Sequence, residues 1–279
     1  MTRASGAGAF SARLFALTTV VLAAGLGLFI LLPLFALFTH GGPLSLLRGI
    51  RHPMALPALW LSLVTTVVAL VVVVGGGTPL AWHLARSSRR PSRWLETILQ
   101  LPMVMPPSVA GIAMLLAFGR QGMFGAPLHS LGWSLGFSSM AVVMAQVFVS
   151  SPFYLQAALL AFGRLDANLL GVARSFGASP ARIFFGVALP LARPALLAGA
   201  ATAWARALGE FGATLMFAGN VAEKTQTLPL AIYTALESDL RAAQTLSVLL
   251  VLIAFALLLA VRGRAALVGG ASPLGKARS

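Results

Sequence analysis

Arg206 and Glu210 stand four residues apart inside a stretch, Leu191 to Phe217, that is otherwise apolar enough to cross a bilayer. On a helix that spacing puts them one turn apart on a single face, where guanidinium and carboxylate can pair. Each charge alone costs on the order of 3 kcal/mol at the centre of a membrane helix, so pairing or water has to offset it. Two readings are open. In one, this face lines a path and Arg206 lowers the barrier for a doubly charged anion. In the other, the pair is structural and fixes helix packing near a dimer seam, a reading favoured slightly because Glu210 would cancel much of the field an anion needs. Gly209 and Gly212, with Ala213, supply a small-residue surface suited to close helix approach.

A second polar run carries different chemistry. Gly163 to Pro190 holds Arg164, Asp166, Arg174 and Arg182, with Arg193 just beyond, and lies between two apolar stretches. Leu165 to Phe176 is expected to form a short helix, Gly177 its left-handed stop, and Ser179-Pro180 the N-cap and first-turn proline of a second helix reaching about Ala188. Two short helices joined at a fixed corner make a rigid knob, able to pass a rigid-body displacement into the flanking spans. The alternative is an amphipathic hairpin on the inner leaflet with its arginines on lipid phosphate, and for Arg182 the lipid anchor is the preferred role.

Other chemistries are absent. The chain has no cysteine, which removes disulfides, thiolate catalysis and Cys-based metal sites together. His40, His52, His83 and His129 are scattered without the spacing of a helical metal site, so no metal is expected. Met103, Met105 and Met114 read as packing. The only lysines, Lys224 and Lys276, lie in no phosphate-cradling loop, so ATP binding by that route is excluded. The longest outer connection, about Ala218 to Gln244, is too short for an independent capture domain.

The elements that must position these groups follow from composition. Hydrophobic residues make up 58% of 279 and charged residues 9%, with a mean hydropathy of +0.91, which marks an integral membrane protein. A span needs roughly 20 apolar residues, about 30 Å of hydrocarbon at 1.5 Å per residue. Six stretches qualify: Leu14 to Phe38, Leu56 to Trp82, Leu95 to Phe118, Ser139 to Phe162, Leu191 to Phe217 and Thr245 to Val261. The third is broken by Pro102, Pro106 and Pro107, as a hinge or as a short helix with an interfacial entry, and Gly75-Gly76-Gly77 before Thr78-Pro79 either loosens the second or is an ordinary feature of a membrane helix. The first is read as a retained helix, since no small-residue cleavage pattern follows it.

Charge orients the chain. With the N-terminus inside, fourteen basic residues fall on that side: Arg3, Arg13, Arg86, Arg89, Arg90, Arg93, Arg164, Arg174, Arg182, Arg193, Arg262, Arg264, Lys276 and Arg278. Five fall outside, namely Arg48, Arg51, Arg120, Lys224 and Arg241. The positive-inside rule then puts both termini and the Gly163 to Pro190 loop in the cytoplasm. The net charge of +14 is thereby accounted for by the membrane, with no nucleic acid called for. The expected organisation is an N-terminal arm 1–13, one transmembrane domain 14–262 with the loop 163–190, and a basic tail 263–279.

Gly171-Val172-Ala173-Arg174-Ser175-Phe176-Gly177-Ala178-Ser179-Pro180, followed by Leu189-Pro190, resembles the EAA loop of ABC-type importer permeases. It departs from that motif in having Gly171 for the usual Glu and Val172 for the first Ala, while Ala173 and Gly177 match. Arg206 to Asn220, then Lys224-Thr225-Gln226-Thr227-Leu228-Pro229, is similar to the molybdate-type permeases in particular. Pro79 to Arg86, Leu101 to Pro107 and Phe118 to Gly122 agree, so the resemblance covers roughly Leu56 to Ala260.

The resemblance implies an all-α membrane fold of about six helices in the bacterial inner membrane. It implies a second copy of this chain forming one path, two ATP-binding cassette subunits beneath, and a periplasmic binding protein delivering the oxyanion. Ala173, Arg174, Ser175, Gly177, Ala178 and Ser179 would dock the ATPase, which alone would use ATP and magnesium; this chain would bind no cofactor and catalyse nothing. Sulfate and tungstate permeases have similar loops and stay open as alternatives. An ion-coupled secondary transporter would need further intramembrane charges, and a membrane enzyme a nucleophile, base or metal set that is not visible.

Overall fold

Short polar side chains and prolines set the helix ends, and apolar content carries the helices into the membrane. The computed structural model describes residues 4–39, 52–87, 90–130, 132 and 135–269, and among them the regular structure is helical. In order these are α1 (Ala4–Thr39), α2 (Ala55–Ala85), α3 (Arg90–Val104), α4 (Pro107–Phe118), α5 (Gly125–Ser130) and α6 (Ser139–Gly163). There follow α7 (Ala167–Ser175), α8 (Pro180–Ile183), a π-helical turn over Phe184–Ala188, α9 (Leu189–Leu208), α10 (Gly212–Ala218), α11 (Leu228–Ser238) and α12 (Leu240–Gly269). The expected arm 1–13 is helical from Ala4, and positions 270–279 of the expected tail lie outside the described residues, as do Arg48, Arg51 and Arg89.

Among the described residues, five helices are long and apolar enough to cross a membrane: Leu14–Thr39, Ala55–Ala85, Ser139–Gly163, Pro180–Leu208 and Leu240–Ala260. The third expected span is instead two helices, Trp94–Val104 and Pro107–Phe118, bent by 117°. Pro106 and Pro107 remove two consecutive N–H donors, and the extended backbone that a proline imposes on its predecessor stops α3 before them. Pro107 then starts α4 at the position where a missing donor costs nothing.

Helix directions decide how that bent pair counts. Gly77 and Thr78 of α2 meet Tyr154 of α6, and further along Trp82 meets Phe162, so α2 and α6 run parallel. Phe184, in the π turn that leads into α9, lies against Trp82, while Trp204 near the exit of α9 donates to Thr66 Oγ1 at 3.1 Å, so α9 runs antiparallel to both. Two parallel helices require the chain to return between them. Leu99 of α3 packs near the Trp82 end and Ala110 and Met114 of α4 pack near the start of α6, which makes the pair one broken crossing and the total six.

Within lipid, burying apolar surface against another helix gains nothing by itself, so close contact between small residues and interhelical hydrogen bonds hold the bundle. The buried positions fit that: Ala58, Ala69, Ala81, Ala145, Ala158, Ala192 and Ala203 lie between helices. At Gly77 a Cβ would come within 2.9 Å of the Tyr154 ring, and at Gly199 within 2.6 Å of Ala157 Cβ. The triple glycine therefore does not loosen α2, which is continuous through it; Gly77 admits Tyr154, whereas Gly75 and Gly76 face open space.

Candidate functional site

The polar loop folds into a locked elbow. Asp166 caps α7, its Oδ1 accepting from Asn168 N at 2.8 Å. At the other end Gly177 N donates to the Arg174 carbonyl at 2.8 Å and Ala178 N to the Ala173 carbonyl at 3.1 Å. These are the two bonds of a Schellman stop, and they require the left-handed backbone that Gly177 adopts at φ 75°. Two residues later Ser179 Oγ accepts from Arg182 N at 3.3 Å, with Pro180 in the first turn of α8.

The second helix of the elbow does not end near Ala188. It passes through the π turn and continues as α9, giving one unbroken helical rise over Pro180–Leu208. Pro190 cannot donate to the carbonyl four residues back and would clash with it. The wider π ring, in which Leu189 N reaches the Phe184 carbonyl, absorbs that conflict instead of terminating the helix. Arg193, at the start of the expected fifth span, lies on this same helix. Around the π turn Trp82 packs against Phe162 and Phe184, each at 5.4 Å, fixing the joint against α2 and α6.

Arg86 closes this end. Its guanidinium lies 4.7 Å from the Trp82 ring centroid, and burial, followed by the like charge of Arg174, lowers its pKa from the ordinary arginine value. Just before the stop, Phe176 is 86% exposed, the most exposed large apolar side chain among the described residues, with Val172 and Leu169 of α7 also exposed.

At the far end the fifth span breaks. α9 ends at Leu208, residues 209–211 are non-helical, and α10 restarts at Gly212. Arg206 Nη2 lies 2.8 Å from Glu210 Oε2, and Glu210 Oε1 accepts from Ala213 N at 2.7 Å. The carboxylate is 1% exposed and the arginine side chain 28%. Glu210 thus binds the end of one helix and the start of the next. The two glycines divide: a Cβ at Gly212 would fall 2.5 Å from Pro107 Cβ, so that glycine lets α10 meet α4, whereas Gly209 is exposed and would meet only the Ala205 carbonyl at 3.7 Å.

Above the break a polar loop is held by its own side chains together with those of α11 and α2. Gln226 Nε2 donates to Asn220 Oδ1 at 3.1 Å, Asn220 Nδ2 to Thr234 Oγ1 at 2.8 Å, and Leu228 N to Ser62 Oγ at 2.7 Å. The Tyr233 ring packs against Phe211 at 5.3 Å, and a hydrogen bond to Glu237, followed by that residue's charge and a little desolvation, raises its phenol pKa.

The model of the binding-protein-dependent transport system inner membrane component family matches residues 77–267, well over half of the chain. The chain belongs to that family. Among the permease's relatives, the molybdenum transport system permease protein ModB of Mycobacterium tuberculosis is 44% identical over 215 residues, 77% of this chain and 81% of that protein. The probable transport system permease protein NifC of Clostridium pasteurianum is 35% identical over 234 residues, 84% of this chain and 82% of that one. In fold, the permease is similar to a chain of a bacterial ABC transporter that imports the acidic polysaccharide alginate. That match has a TM-score of 0.72 at 14% identity and covers 91% of this chain and 96% of that one. It is also similar to the MetNI methionine transporter in inward-facing conformations, with a TM-score of 0.62 at 20% identity over 77% and 96% of the two chains. The permease is a multi-pass inner-membrane protein of an ABC transport system.

The permease brings Arg206 and Glu210 into contact and gathers Ala173, Arg174, Ser175, Gly177, Ala178 and Ser179 at one corner, the length of α9 away. Sequence reasoning passed over Phe176 and Val172, although an exposed aromatic within a polar interhelical run was visible as a signal. It also passed over Phe211 and Tyr233, which adjoin only once α11 folds back beside the break.

Proposed function

We propose that this permease is the membrane subunit of an ATP-driven importer that takes molybdate from a periplasmic binding protein and passes it to the cytoplasm. The observation that carries the mechanism is the unbroken helix from the Ser179-capped elbow to Arg206. At 29 residues it is roughly 43 Å long, so a displacement of the elbow reaches the break at Gly209 without being absorbed on the way. Two cassette ATPases dock the exposed corner from Leu169 to Ser179, with Phe176 filling the apolar part of their grooves, and they alone use ATP and magnesium. Six crossings return the chain to its starting side, cytoplasmic by the distribution of Arg and Lys.

The exposed face of α9 supports a shared path between two copies. It runs Leu191, Ala195, Ala198, Thr202 and Gly209, with Arg206 beside it, whereas the exposed face of α2 runs Val64, Val67, Val68, Val71 and Val72. Valines suit lipid; a stripe of small residues ending in Thr202 and Arg206 suits water or a second polypeptide. In this arrangement Arg206 faces the path with its remaining N–H donors while Glu210 holds it in place.

Uptake of labelled molybdate by cells with and without this chain, with excess unlabelled sulfate or tungstate, tests the assignment. Uptake that is lost without the chain and resists sulfate is expected. Unchanged molybdate uptake, with sulfate uptake lost instead, overturns the choice of ion.

A further inference from the structure

A groove between α2, α6 and α9 has no occupant among the described residues. Its volume is about 360 Å³, and its walls are Val74, Leu189, Leu196, Leu197 and Ala200, with Tyr154 at the base. The hydroxyls of Tyr154 and Thr78 lie 2.6 Å apart and Thr78 also donates to the Val74 carbonyl, so these two groups satisfy each other. Arg193 is different: it lines the groove, is exposed, and has no ion-pair partner among the described residues, where the only ion pair is Arg206 with Glu210.

The level of this groove in the span is set by two contacts. Phe184 lies beside Trp82 at the Arg86 end of the bundle, and Arg193 is nine residues further along the same helix, roughly 13 Å inward. An unpaired guanidinium at that depth reaches back toward the headgroups along its own stem. A cation at the rim of an apolar slot, at the depth of the inner leaflet, matches a lipid with a phosphate head and acyl tails. Basic pockets between helices on the cytoplasmic side bind anionic headgroups in this way.

We propose that this groove is a binding site for one anionic phospholipid of the inner leaflet, with Arg193 on the phosphate and an acyl chain along Val74, Leu196, Leu197 and Ala200. The apolar walls select a lipid over a free oxyanion, so the site stands apart from the transport path and does not depend on which ion is carried.

Native mass spectrometry of the detergent-extracted transporter, exchanged against phosphatidylglycerol or phosphatidylethanolamine, reads the site directly. Retention of one phosphatidylglycerol per chain is expected, with about fivefold preference over phosphatidylethanolamine. Arg193→Gln should abolish the preference and Arg193→Lys should keep it. Leu197→Trp fills the slot with Arg193 intact and should release the lipid, so the test does not hang on one variant. Equal retention of the two lipids, undiminished retention by Arg193→Gln, or displacement by inorganic phosphate overturns the proposal. So does an intermolecular disulfide at Ala200→Cys in this otherwise cysteine-free chain, because it places a second copy over the groove.

Discussion

Glu210 is shared between two helices: one carboxylate oxygen holds Arg206 at 2.8 Å and the other accepts from Ala213 N at 2.7 Å. The partners are unequally buried, and that inequality orders the mutants. Arg206→Ala strands a carboxylate that is 1% exposed, and is expected to lower stability by about 3–5 kcal/mol, whereas Glu210→Ala strands a guanidinium that still reaches solvent. Removing both should be milder than removing Arg206 alone. Thermal unfolding of the detergent-extracted variants gives the order, and equal losses in Arg206→Ala and the double variant would rule out the pairing argument.

The exposed corner predicts a docking phenotype. Phe176→Ala is expected to weaken co-purification of the partner ATPase by about tenfold or more, because a buried aromatic anchor dominates such interfaces. Arg182→Gln, one turn into the next helix, should change it far less. Undiminished co-purification by the Phe176 variant would show that the docking surface lies elsewhere.

The glycines of α2 should behave oppositely to one another. Gly77→Ala drives a methyl to 2.9 Å from the Tyr154 ring, and an overpacking cost of about 1–3 kcal/mol is expected. Gly75→Ala and Gly76→Ala meet nothing and should leave stability unchanged or slightly raised, since Ala favours helix. Melting temperatures of the three variants separate these outcomes.

Tyr233 should ionise late. The chain has two tyrosines, so a Tyr154→Phe background leaves its phenolate absorbance alone. Its pKa is raised chiefly by the hydrogen bond to Glu237, and Glu237→Gln should bring the midpoint down. A raised phenol pKa contributes stability that is whole below the ordinary tyrosine value and fades as pH climbs through the folded value, so the variant should be less stable than wild type at neutral pH and the two should converge at alkaline pH. Identical titrations of the two proteins would remove Glu237 as the cause.

Local chemistry was legible in the sequence and longer-range geometry was not. Asp166, Gly177 and Ser179-Pro180 act through bonds to residues one to five positions away, so their caps and stop could be read directly. Pro106-Pro107 announced a break, but its angle depends on Gly111 and Gly212 letting α4 and α10 come together, and the two glycines are a hundred residues apart. The second helix of the elbow read as ending near Ala188, short of Pro190, where α-helical bonding alone would not carry it on. The π turn is an alternative that a proline permits without specifying. The triple glycine read as looseness because nothing near it in sequence indicates that Tyr154 fills one of the three positions.

The break at Gly209 has an electrostatic consequence. Backbone amides at the start of a helix ordinarily attract negative charge, and an oxyanion crossing the bilayer beside α10 would be drawn to them. Here the protein's own carboxylate already takes the Ala213 amide, so a passing ion finds that position filled. A helix start filled in this way holds an anion less tightly at that amide than a bare one would.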